Sequence, residues 1–316
     1  KELVDRYGKD EIRQFIEDWF AYSETMMVEA IKKLPAGTVS KTTVYDPMEP
    51  TLPKGLPINV SVEIDPKNAK IEVDLTKNED SKEFGLNESV ACATSNALCG
   101  VFNCIDSDVP HNAGSFKRVS VKLRQGCVTG IPEFPLSCSM ATTNIGDRIV
   151  NATQAAFAEF GKGYGLAEGS MGMGIGAAVI SGKDKRFGGA PYINQEWLVV
   201  NGGPGTPTSD GWLNYGLPVA AGLMYRGSVE VEESKHPILI KHMRVIPGGG
   251  GAGEFRGAPG ADVMYGPRFD PMTVVTMCDA HINAPQGVRV WIHGDYISAN
   301  SGPATVTGSN VNLRSN

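Results

Sequence analysis

The sequence predicts an α+β fold: β-rich mixed sheets with packing helices and long Gly/Pro-rich loops. Three observations predict it. Glycine (38) and proline (20) are abundant and only 20% of residues are charged, a composition of strands and loops rather than of a helical bundle. Between residues 56 and 76 apolar and polar side chains alternate, as half-buried strands require. Residues 1–34 instead carry apolar positions at helical spacing.

The elements follow in order. Ile12, Phe15, Ile16, Trp19 and Phe20 form one stripe, continued by Met26, Met27, Ala30, Ile31 and Leu34; a packing helix is expected, stopped by Pro35 and Gly37. Strands are expected at 39–47 and 56–76. Ile58, Val60, Val62 and Ile64 alternate with polar residues, and Lys67, Asn68 and Ala69 turn the chain toward Ile71, Val73 and Leu75. Residues 85–105 are small and apolar enough for a buried helix, and 117–123 alternate as a strand. A helix is expected from Thr143 or Asn144, either of which would cap it, through Phe160, with Asp147 in its first turn. Strands are expected at 262–265 and 273–276. The expected division is 1–160, a helix plus a strand/helix region, and 161–316, a Gly-rich β region; one continuous domain is the alternative.

Several function classes are excluded or weakened. The formal net charge of −6 argues against a nucleic-acid footprint, which needs a basic face. No apolar run approaches the roughly 18 residues of a membrane helix, and no signal peptide is visible. Six cysteines without a CxxC pair read as reduced core thiols of a cytoplasmic protein.

The most tempting motif is the glycine run after Pro247. Gly248, Gly250 and Gly253 satisfy G-x-G-x-x-G. A dinucleotide fingerprint needs a helix directly after the glycines. The following EFRGAPG, with two more glycines and a proline, suits a tight crossing loop instead. No Gly-Lys-Ser/Thr makes a Walker loop. Ser170 lies among glycines but lacks the G-x-S-x-G spacing of a nucleophile elbow.

Candidate chemistry-bearing residues are few. His111 could be a ligand or base, but no second His or Cys stands at ligand spacing, which favours a surface or capping role. Asp279 and His281 would share one strand face, giving an acid/base pair or half a metal site; a structural or interface role is preferred. Asp147 and Arg148 read as a surface pair or as part of a subunit interface.

One resemblance adds to this. Glu230, Glu233 and Pro237, followed by PGGGGAGEFRGAPG, resemble a segment of the hydantoinase B/oxoprolinase family. So do Asp106–Ser107–Asp108–Val109–Pro110–His111–Asn112–Ala113–Gly114, and Gly202–Gly203–Pro204–Gly205 followed by Ser209–Asp210–Gly211–Trp212. Lys77–Asn78–Glu79–Asp80 replaces a Gly-containing turn of that family. The chain is similar to the C-terminal portion of a B-type subunit. The resemblance implies substrate-binding or interface roles for Asn112, Gly114, Asn144, Arg148, Gly203, Asp210 and Arg256. It implies ATP and a divalent metal in the complex, on partner chains or on an N-terminal half that this chain is expected to lack. No cofactor and no metal is then expected on this chain alone. The partners implied are a hydantoinase A-type ATP-binding subunit and a small carbonyl substrate. The first functional expectation is a subunit of an ATP-dependent ketone carboxylase of the acetone/acetophenone type. The alternatives are a subunit of a cyclic-amide hydrolase of the hydantoinase/5-oxoprolinase type, or a non-catalytic structural subunit.

Overall fold

A computed structural model describes residues 1–136, 138, 144–169, 171–198, 202–213, 225–290 and 295–297. The first helical stretch is two helices, α1 (Glu2–Tyr7) and α2 (Lys9–Lys32), divided at Gly8, whose φ is 86°. Then come β1 (Gly37–Tyr45), β2 (Leu56–Asp65) and β3 (Lys70–Asp74). Helix α3 (Val90–Phe102), the short α4 (Ala113–Phe116), strand β4 (Val119–Lys122) and helix α5 (Ile145–Ala158) follow.

These elements make one layered unit. The sheet order is β1-β2-β3-β4, antiparallel except for the parallel β3/β4 pair. The alternation in β2 works as read: Ile58, Val60, Val62 and Ile64 are buried, while Asn59, Ser61 and Glu63 are not. Each such side chain contributes about 1.5–3 kcal/mol on burial. They join Ile71, Val73 and Leu75 and the apolar residues of α3 and α5 in the main core. Helix α5 packs on α3, β1 and β2, and all 14 of its residues are buried.

The second half is strand-rich. Its strands are β5 (Gly172–Met173), β6 (Val179–Asp184), β7 (Ala190–Gln195), β8 (Ile238–Val245), β9 (Ala261–Pro267), β10 (Thr273–Val275), β11 (Met277–Cys278), β12 (Val288–Val290) and β13 (Asp295–Ile297), with helix α6 (Val229–Lys235) before β8. They pair as β10-β6-β7, β11-β5, β8-β9 and β12-β13. Helices and mixed sheets together make the fold α+β.

The Gly-rich run is the long hairpin loop that joins the antiparallel neighbours β8 and β9, and it packs against the backbone of residues 203–211. No helix lies between Val245 and Ala261. Gly211 N–H donates to the Arg256 carbonyl at 2.7 Å, and Ala258 N–H to the Gly203 carbonyl at 3.0 Å. A Cβ on Gly211 would run into that Gly203 carbonyl, and one on Gly250 into the Gly257 carbonyl. Backbone meets backbone here, which is why side chains are absent.

One packing expectation fails. Part of the stripe along the first half of α2 is left uncovered among the described residues: Phe15 is 66% exposed, Ile16 44% and Trp19 46%, while Ile12 and Phe20 are partly buried. Only Ser23, Met27, Ala30 and Ile31 are buried. Ser170, Thr143, residues 199–201 and most of the tail after 290 lie outside the described residues.

Candidate functional site

The polar centre of the molecule is built on α5. Arg148 is 1% exposed. Its guanidinium donates from Nε to Asp279 Oδ2 at 2.7 Å and from Nη2 to Asp279 Oδ1 at 2.9 Å. Nη1 reaches Thr43 Oγ1 on β1 at 2.8 Å, and Nη2 also reaches the Asn283 carbonyl at 3.1 Å. This planar two-point match is what Arg offers and Lys does not. The expectation of an Asp147–Arg148 surface pair is therefore corrected: Arg148 is a buried cation held by a carboxylate 131 residues away in sequence.

Asp46, just past β1, completes the clamp. It accepts from the backbone N–H groups of His281, Ile282 and Asn283 at 2.6, 3.0 and 2.7 Å. Burial opposes its charge, yet the Ile282, Asn283 and His281 amides outweigh burial and hold its carboxyl below the usual range. Its own N–H donates to Asp279 Oδ1 at 2.9 Å. The loop at 279–283 is thus fastened to β1 and α5 by charge-assisted bonds.

A second set of ionisable groups is wholly or partly buried, and burial shifts them. Glu88 is fully buried, with Asn96 Nδ2 at 3.3 Å as its side-chain donor. Burial first, then the charges of Cys92 and Asp147, pushes its carboxyl up to about 9. At neutral pH it is a neutral acid, able to donate a proton. Burial pushes the Cys99 thiol up to about 11, with Asp147 adding to the effect. Glu168 is also raised, by burial, against the Gln286 N–H that donates to it at 2.8 Å. Asp147 accepts from Gly172 N–H at 2.9 Å. Among the described residues, one trio of metal-ligating types lies together: Glu196, Glu232 and His236.

The sequence-named residues fall in separate places. Asp279 and His281 do not share a strand face. β11 ends at Cys278, and Ala280 takes a φ of 65°, so Asp279 turns into the Arg148 clamp while His281 is exposed. Asn144 stands at the N-terminal cap position of α5 without making a capping bond; its amide donates to the Tyr45 hydroxyl at 3.3 Å. His111 is exposed, its ring edge-on to Phe102 at 4.5 Å. Asn112 caps α4, accepting from Gly114 N–H at 2.8 Å, and donates to Ser23 of α2 at 2.7 Å. Gly114 lies against the Phe20 backbone, where a Cβ would collide. Asp210 accepts from Arg256 N–H at 2.7 Å, beside Gly203 in the crossing loops. Only Asn144, Arg148 and Asp279 of the named set come together around the start of α5.

Sequence reasoning missed Asp46, Glu88, Glu168 and Glu196. The available signal was a single carboxylate inside an otherwise small or apolar stretch, as in GLNESVACA and INQEWL. Such residues are almost never fully buried unless paired.

The hydantoinase B/oxoprolinase family model matches residues 1–291. This chain belongs to the hydantoinase B/oxoprolinase family. Among curated relatives, the caprolactamase beta chain of Pseudomonas jessenii is 26% identical over 275 residues, 87% of this chain and 46% of that protein. An uncharacterized protein of Methanocaldococcus jannaschii is 24% identical over 91% of this chain and 47% of its own length. A putative D-/L-hydantoinase of a Pseudomonas species, in its B-type chain, is 28% identical over 50% of this chain and 28% of its own length. The chain thus spans at most about half the length of the curated relatives it matches. Two solved structures share the fold. The ATP-dependent caprolactamase of P. jessenii superposes with a TM-score of 0.74 at 23% identity, covering 95% of this chain and 54% of that one. Nucleotide-free acetone carboxylase gives 0.72 at 15% identity, covering 92% and 40%.

Proposed function

We propose that this family member forms part of a B-type subunit of an ATP-dependent, multi-subunit enzyme that opens a cyclic amide. The supporting observation is the sequence likeness to a caprolactamase beta chain over 87% of this chain. Likeness to a hydantoinase B-type chain favours the same bond class. This reverses the order of the two enzyme readings expected from sequence. A ketone carboxylase of the acetone or acetophenone type is the second reading, and the fold shared with acetone carboxylase favours it.

The chemistry is the same in outline for both. An amide or enolate oxygen accepts a phosphoryl group from ATP, which turns a poor reactant into an activated one. Phosphoryl transfer needs positioning and charge neutralisation. The nucleotide belongs to a hydantoinase A-type partner subunit. The divalent metal for that chemistry lies on partner chains or on the rest of the B-type subunit. This chain supplies shaped packing and contact surface. The uncovered stripe of Phe15, Ile16 and Trp19 has the character of an interaction surface. Among the described residues, no helix is long and apolar enough to cross a membrane. An ATP-dependent enzyme with free thiols works in the cytoplasm, where thiols stay reduced.

The test is substrate-dependent phosphate release by the complex reconstituted with its ATP-binding subunit. Turnover with caprolactam or hydantoin, without bicarbonate, is expected. Turnover only with acetone or acetophenone, and only with bicarbonate, selects the carboxylase. Activity unchanged when this chain is omitted leaves it a structural subunit.

A further inference from the structure

We infer that Glu196, Glu232 and His236 form a binding site for one divalent first-row transition cation, of which Zn2+ is the test case. This runs against the sequence-based expectation that the chain holds no metal by itself. It does not depend on which reaction the assembled enzyme performs.

The backbone brings the three together. Glu196 follows β7, and its N–H donates to the Ala178 carbonyl at 2.9 Å. The next residue, Trp197, accepts from Gly227 N–H at 2.7 Å, drawing residues 225–228 alongside. Ser228 then caps α6, accepting from Val231 N–H at 3.3 Å. Glu232 and His236 stand four residues apart at the end of α6, joined by the His236 N–H to Glu232 carbonyl bond at 2.9 Å. One ligand atom from each of the three residues lies within 4.8 Å of the others. An ion with bonds of about 2.0–2.2 Å needs only a small contraction of that triangle.

The electrostatics of the trio are unfinished without a cation. Glu196 is 0% exposed, its carboxyl lies within hydrogen-bonding reach of the Glu232 carboxyl, and no N–H or O–H group reaches its Oε2; the buried His236 Nδ1 has no partner either. Glu196 Oε1 has one long bond, from Asn194 Nδ2 at 3.4 Å. The neighbouring cations do not serve. Arg186 is engaged by Asp184 at 2.8 Å and by the Glu233 and Ser234 carbonyls. Lys235 Nζ stays 3.9 Å from Glu232 Oε1. Burial, and then the facing Glu232, pushes the Glu196 carboxyl up to about 7. Two buried carboxylates facing each other need a shared proton or a cation. The histidine decides between them. A proton shared by the acids leaves Nδ1 an orphan, whereas a metal ion accepts all three donors. Two carboxylates and one imidazole match the +2 charge and the mixed O/N preference of Zn2+, with a fourth position open.

The test is isothermal titration of the chelator-stripped full chain with Zn2+, alongside Glu196→Gln and His236→Ala variants. One Zn2+ per chain is expected, with affinity falling at least tenfold in each variant. Zn2+ should raise the Tm of the parent but not of Glu196→Gln, a variant that relieves the buried charge and so keeps its fold. A Co2+ spectrum without thiolate charge-transfer bands separates this site from the cysteines. Undiminished binding in both variants, thiolate bands, or no binding at all overturns the proposal. None of these readouts involves substrate turnover, so failure of the cyclic-amide reading leaves them unaffected, and the reverse.

Discussion

Replacing Asp279 by Asn tests the buried clamp in the most direct way. The substitution keeps the shape of the side chain but removes the charge that Arg148 meets at 2.7 and 2.9 Å. Arg148 is only 1% exposed, so water cannot replace the lost partner. Breaking a buried pair from one side costs about 3–5 kcal/mol. Asp46 moderates the loss, since its Oδ1 lies 3.9 Å from Arg148 Nη2, which puts the expected cost near about 3 kcal/mol. For a chain of 316 residues, each kcal/mol moves Tm by about 1.5 °C, so a fall of roughly 4–5 °C is expected. The assay is urea unfolding, which gives the free energy directly, with calorimetry for Tm. Arg148→Leu combined with Asp279→Leu should cost less than Asp279→Asn, because no lone charge is left behind. A loss below about 1 kcal/mol in Asp279→Asn, or a double variant worse than the single, would refute the claim that this ion pair is buried and mutually dependent.

Other outcomes follow from the same geometry. Gly211→Ala forces a Cβ against the Gly203 carbonyl and should destabilise by about 1–3 kcal/mol, measured by urea unfolding. Phe15→Ser, at an exposed site, should change stability by less than about 0.5 kcal/mol while weakening co-purification with partner subunits; an unchanged pull-down argues against α2 as an interface. Glu88 has a folded pKa of about 9 against about 4.3 unfolded. Its contribution is therefore full below pH 4.3 and declines as pH rises toward 9, by at most about 1.4 kcal/mol per pH unit. Glu88→Gln should flatten that alkaline decline in a pH series of unfolding curves. Asp46, held below its usual range, acts in the opposite sense. Its contribution is present above about pH 3.9 and fades as pH falls through the lower folded value, so Asp46→Asn should remove part of the acid sensitivity.

Local periodicity carried much of the architecture. Alternation in Ile58–Ile64 and Ile71–Leu75 specified β2 and β3 because one face of each is buried in the main core, β2 against α5 and β3 beside α2. The glycine run resolved as a closely packed loop, not a nucleotide loop, because its flanks could not continue as helix. What escaped was set by contacts distant in sequence. The stripe on α2 is real as a pattern, but a pattern states that an apolar face exists and not which chain covers it. Arg148 looked like a surface residue because Asp279 lies 131 positions on. Asn144 had the chemistry of a cap, yet its amide bonds to Tyr45 instead. The buried acids Glu88 and Glu196 sit in short apolar settings that resemble ordinary strand or helix ends. Their environment comes from residues folded over them.

The central claim is that this chain works inside a larger ATP-dependent assembly. The direct measurement is lactam-stimulated ATP hydrolysis by the ATP-binding partner together with the remaining subunits, with and without this chain. Stimulation that emerges only when the chain is added is the expected result. The same stimulated rate in its absence would contradict the claim.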